Sequence, residues 1–94
     1  MLILSLTYLT EPEQADVHMD AHMAWVKEGY AEGWFLASGR KIPRTGGVIL
    51  ARGDRAEIED FCDSDPFVIH GIAEYDVIEC AFTTAAAGFE GLKA

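Results

Sequence analysis

Residues 33–52 read Gly33-Trp34-Phe35-Leu36-Ala37-Ser38-Gly39-Arg40-Lys41-Ile42-Pro43-Arg44-Thr45-Gly46-Gly47-Val48-Ile49-Leu50-Ala51-Arg52. Two apolar runs of strand length, Trp34 to Ser38 and Gly47 to Arg52, flank a basic, proline-containing connection from Gly39 to Gly46. Runs this short, rich in aromatic and aliphatic residues and bounded by glycine, predict two consecutive strands.

Towards the N-terminus, Gly33 is a plausible helix stop, because glycine accepts the left-handed conformation past a helix end. The helix it closes is expected to begin at Thr10-Glu11-Pro12-Glu13. Thr10 and Glu13 have capping-box spacing, and proline is tolerated in a first helical turn. Ala15, Met19, His22, Val26 and Tyr30 recur three or four apart and share one face. Before this helix, Leu2 to Leu9 reads as a first strand. Towards the C-terminus, Asp54 with Glu57 predicts a second helix whose buried face carries Ile58, Phe61 and Cys62. Asp65-Pro66 opens a short turn or helical piece ending at Gly71, and Ala73 to Phe82 is the last strand. From Thr83 the chain is small and glycine-bearing, a tail either mobile or packed on a partner.

The resulting order, β-α-β-β-α-β, is a split βαβ arrangement. It predicts an α+β, ferredoxin-like fold with an antiparallel sheet, in one domain of 94 residues with a core over 1–82 and a tail over 83–94. Strands one to three carry nearly continuous apolar runs, where a sheet with one wet face would alternate. Helices in so small a fold cover one face only. A second copy of the sheet is the economical cover for the other, which predicts a homodimer in the form of a dimeric α+β barrel.

Sixteen acidic residues against seven basic ones leave a formal net charge of −9, and half of the residues are apolar. Such a chain repels phosphate backbones and anionic lipid, which argues against nucleic-acid and membrane partners. The opening apolar run is too short to span a bilayer and lacks the basic segment of a secretion signal, so a cytoplasmic protein is expected. Cys62 and Cys80 have neither CxxC nor Cys/His ligand spacing and read as reduced, structural thiols.

Arg40, Lys41 and Arg44 concentrate three of the seven basic residues in one connection, where a solvated loop and a small-anion site are both open readings. Ser38-Gly39-Arg40 follows a buried strand directly, and a rigid strand end is a good place for ligand contacts. His18 and His22 stand one helical turn apart at the face expected against the sheet. Their i, i+4 spacing could serve a metal, but the glutamate of HExxH is missing and no third ligand has diagnostic spacing, so no metal is expected. Asp65 before Pro66 suits a helix N-cap and could equally orient a histidine ring for acid–base work; the two roles are compatible. A Ser38-His22-Asp65 triad can be drawn, but the GxSxG elbow is absent. His70 is ambiguous.

The ordered set His22, Gly33-Trp34-Phe35-Leu36-Ala37-Ser38-Gly39-Arg40, Pro43, Gly46-Gly47 and Asp65-Pro66-Phe67 with Gly71 resembles the YciI-like (YCII-related) family from the first strand to about Phe82. The resemblance implies a ferredoxin-like fold, a dimeric barrel and a cleft beside the sheet. It maps the family's proposed active-site pair onto His22 and Asp65, with Ser38 near the cleft; the expected substrate-binding set is Ser38, Gly39, Arg40, Arg44 and His18, with Arg40 or Arg44 as an anion clamp. Many members carry proline where this chain has Arg40. The resemblance implies a cofactor-free, dehydrochlorinase-like lyase that moves a proton on, or eliminates from, a small cyclic or aromatic compound. The competing readings are a non-catalytic small-molecule-binding or accessory dimer, and a cofactor-independent monooxygenase or isomerase.

Overall fold

The computed structural model describes residues 1–94. Its elements are β1 (Leu2–Tyr8), α1 (Pro12–Val17), α2 (Met19–Ala31), β2 (Phe35–Arg40), β3 (Gly46–Ala51), α3 (Arg55–Cys62), α4 (Pro66–Ile69) and β4 (Ala73–Glu79). The four strands form one antiparallel sheet in the order β2-β3-β1-β4. This is the α+β, ferredoxin-like fold that the order of elements predicts.

The sheet buries one face first. Along β1, Leu2, Leu4 and Leu6 are buried while Ile3, Ser5 and Thr7 are only partly covered. That alternation is the period-two signature of a half-buried strand. In register with it, Leu2 pairs with Ala51 and Leu4 with Ile49. Trp25 and Val26 from α2, Ile58 and Cys62 from α3, and Phe35 from β2 complete this cluster. A second, smaller cluster gathers Leu6, Ala15, Phe67, Ile72 and Ala73. Trp25 joins the helices across the first cluster: its indole N–H donates to the Phe61 carbonyl and the Ser64 hydroxyl, both at 3.0 Å. The uncovered face carries Ile3, Leu50, Val48 and Ile78 beside Ser5 and Asp76.

Several local details differ from the sequence reading. The first helix is two helices, α1 and α2, that meet at His18 (φ −109°, ψ 11°). Ala15 docks in the smaller cluster and Trp25 with Val26 in the larger, so the chain bends between them. Thr10 is not the N-cap. Pro12 holds the residue before it in an extended conformation, and that residue, Glu11, takes the cap position without a side-chain bond. Tyr30 lies outside the core, 42% exposed, and Trp25 fills the buried position instead. Strand β2 continues through Gly39 and Arg40, which the sequence reading left in the connection, and β4 stops at Glu79. The tail returns to its own chain: the Ala94 N–H donates to the Phe82 carbonyl (2.9 Å) and the Arg52 guanidinium to that of Gly91. Other expectations match. Asp54 accepts from the Glu57 N–H at 3.0 Å, and Gly33 has φ +80° after α2.

Gly46 sets the closest approach of β3 to β1. It has φ +154°, and a Cβ there would lie 1.8 Å from the Leu6 carbonyl oxygen. Neither backbone can move without breaking the ladder, so Gly46→Ala is expected to cost more than about 2 kcal/mol in urea unfolding.

Candidate active site

The site begins with a carboxylate that has no access to water. Asp65 is fully buried at the N-terminus of α4, where the extended residue before Pro66 takes the N-cap position. Its Oδ1 accepts from the Phe67 N–H at 2.9 Å, the expected cap bond. Its Oδ2 accepts from the Tyr75 hydroxyl at 2.6 Å. His22 Nδ1 lies 2.8 Å from Oδ1 and 3.0 Å from Oδ2. Asp65 is therefore both a helix cap and the partner of His22. An unpaired buried charge would cost several kcal/mol, and these three donors offset that cost.

The geometry also selects the histidine tautomer. With the carboxylate accepting on every side, Nδ1 must carry a proton and donate it. In the neutral ring Nε2 is then the free base. Phe67 holds the ring plane, its ring stacked on the imidazole at 4.0 Å between centroids and 4° between planes. Trp25 lies on α2 with its centroid 5.9 Å from the imidazole. His22 is 9% exposed, and no buried side-chain nitrogen or oxygen in the molecule lacks a partner, so the unbonded Nε2 reaches open space.

That space is a cavity of about 250 Å³ between α2 and the sheet. Met19, His22, Met23 and Val26 form its helical wall, and Leu6, Ile49 and Gly47 lie on its sheet side. Ser38, Gly39 and Arg40 line the β2 edge, and Tyr8 and Arg44 also line it. A shift of register between Phe35 and Ala37 places Ser38 opposite Ile49 and Arg40 opposite Gly47. Ile49 and Gly47 lie in register with Leu4 and Leu6, so Ser38 and Arg40 face the helices rather than the open side. Without this bulge the alternation begun at Phe35 would turn both away.

Of the sequence-predicted residues, His22, Asp65, Ser38, Gly39, Arg40 and Arg44 come together. Ser38 pairs with the Tyr30 hydroxyl at 2.8 Å rather than with His22, so no Ser-His-Asp relay is formed. His18 is separate: at the α1–α2 junction its ring stacks on His70 at 4.1 Å, outside the cavity. The bend turns it towards the end of α4, away from the sheet. Arg44 is bound to Asp16 at 2.5 Å, and the guanidinium holds that carboxyl below the usual carboxylate range. Tyr75 is the residue that sequence reasoning missed. It sat unremarked within an aromatic-rich strand; only the register placing it opposite Leu6 brings it beneath Asp65.

Burial, and then the Asp65 charge, push the Tyr75 phenol far above its ordinary range, so it stays protonated and donates. Burial and the same carboxylate push the Cys62 thiol up to about 12 from 9.0.

A ferredoxin-like sheet with a buried His-Asp-Tyr cluster opening on a one-ring cavity defines the class of the molecule. The YCII-related domain model matches residues 1–81, and the chain belongs to that family. Among solved structures it is similar to 5-chloro-2-hydroxyhydroquinone dehydrochlorinase (TftG) from Burkholderia phenoliruptrix AC1100 in complex with 2,5-dihydroxybenzoquinone. The TM-score is 0.64 at 21% identity, covering 85% of this chain and 93% of the other, a likeness of fold. No curated protein matches the chain.

Two outcomes are expected. Tyr75→Phe leaves one Asp65 oxygen short of a donor and lowers unfolding free energy by about 1–3 kcal/mol in urea titration. Above the ordinary thiol value of 9.0 the unfolded chain gives up the Cys62 proton while the folded chain keeps it until about 12. The stability from this group is therefore complete below pH 9.0 and declines towards about 12, so the urea midpoint falls with rising pH.

Proposed function

We propose that this chain is a cofactor-free enzyme in which His22 moves a proton on a small cyclic compound, in the manner of a lyase that eliminates a leaving group. One observation carries the reading: His22 Nδ1 is held by a buried carboxylate while Nε2 opens on a cavity of single-ring size. In this mechanism Nε2 takes a proton from an O–H or C–H of the bound ring. The ring reacts as its keto tautomer, in which a hydroxyl proton has moved to the carbon bearing the leaving group. The electron pair left behind therefore forms a new π bond as a group such as chloride departs from that sp3 carbon. Asp65 stabilises the imidazolium, Tyr75 and the Phe67 N–H donate to Asp65 and hold it in place, and His22 returns its proton to solvent. The balance is loss of one proton and one anion, with no external oxidant. The likeness to a dehydrochlorinase with a bound dihydroxyquinone supports this reaction class.

The same proposal includes a homodimer joined through the open sheet face, where Val48 and Ile78 stand 39% and 53% exposed. A single species of monomer mass at micromolar concentration in analytical ultracentrifugation would remove that part.

The activity is tested by chloride release from chlorinated hydroxyquinols, 5-chloro-2-hydroxyhydroquinone first. Turnover is expected without oxygen uptake, and His22→Ala is expected to reduce it at least about 100-fold while circular dichroism stays unchanged. Oxygen uptake would favour the monooxygenase reading. Thermal protection by the compound without chloride release would leave a binding module.

A further inference from the structure

Arg40 is an exposed residue of the β2 edge that lines the cavity, and its guanidinium has no partner within the chain. Of the two arginines there, Arg44 is bound to Asp16 and lies over the Tyr8 ring at 5.9 Å. The Arg40 guanidinium has no hydrogen bond or ion pair within the chain, and no carboxylate lines the cavity. Asp16, the acid whose carboxyl feels Arg40, is already engaged by Arg44. The β2 bulge turns Arg40 to the helix side together with Ser38, while its partner on β3, Gly47, has no side chain to fill the space between them.

On a chain of net charge −9, an anion approaching from solution meets a repulsive field, so a guanidinium at the rim of the cavity has a specific use. It restores attraction at the cavity mouth, where the planar fork suits two oxygens at once. Ser38 fits the same ligand. If Tyr30 donates to its Oγ across the 2.8 Å contact, the Ser38 proton is free to point into the cavity. The helical wall opposite is apolar apart from His22.

We infer that the ligand of this cavity is a small cyclic anion, a ring bearing a carboxylate or an ionised enol or phenol, and that Arg40 recognises its charge with Ser38 beside it. This rests on the acid–base reading of the same cavity and adds the class of substrate. The anionic group sits at the β2 edge, and the reacting proton faces Nε2 on α2.

The test is calorimetric titration of wild type, Arg40→Gln and His22→Ala with 2,5-dihydroxybenzoate and its neutral isostere 2,5-dihydroxybenzamide. The carboxylate is expected to bind wild type about tenfold or more tightly than the amide, with the preference shrinking as salt is raised. Arg40→Gln is expected to abolish the preference and leave amide affinity unchanged. Equal affinities in wild type, no binding of the carboxylate, or a preference that survives Arg40→Gln would overturn the inference. His22→Ala separates the two proposals. A retained preference in that variant, with no compound turned over by wild type, would sink the acid–base reading and leave the charge recognition standing.

Discussion

The fully buried Asp65 carboxylate is the constraint on which the rest of the molecule is organised. A charge in that position is tolerable only if donors reach it from several directions, and here they come from α2, α4 and β4. Those bonds tie three elements that do not adjoin in sequence to one point between the two apolar clusters. The same bonds set the chemistry. Once both oxygens are committed, the imidazole has one permitted tautomer and one free nitrogen. Stability and reactivity are therefore coupled at a single residue.

The opposite wall of the site is set by backbone rather than by burial. One extra residue in β2 reverses the phase of the strand, so that Ser38 and Arg40 face the helices while Phe35, before the bulge, packs in the core. Gly47, in register with both Leu6 and Arg40, keeps the middle of the sheet floor empty. Across one level of the sheet the order is thus Tyr75, Leu6, Gly47, Arg40. It runs from the residue that supports the His22–Asp65 pair, through open floor, to the free cation. Electrostatics sharpen this division, since the body is acidic and the cavity lining contains cations but no acid.

The succession of strands and helices, the hairpin at residues 33–52, the Asp54 and Asp65 caps and the inward placing of Val26 were readable from spacing alone. Each depends on residues within a turn or two of one another, so local geometry suffices. His22 was readable as inward-facing for the same reason. His18 was misread because the same spacing assumes an unbroken helix, and the bend arises from two separate docking clusters. Tyr75, ten residues from Asp65, was invisible because a strand aromatic that donates to a buried acid has the same local pattern as one that merely packs.

What the sequence by itself determined is which segments become helix or strand, that Asp54 and Asp65 cap two of the helices, and that His22 faces inward. The tertiary structure alone decided that Nδ1 rather than Nε2 is bound, that Tyr75 completes the cluster, and that Arg40 rather than Arg44 is the free cation. The reason is physical. Periodicity and capping follow from backbone repeats over a few residues, whereas the partner of a polar atom depends on register, bulges and burial, which are settled only when distant elements pack together.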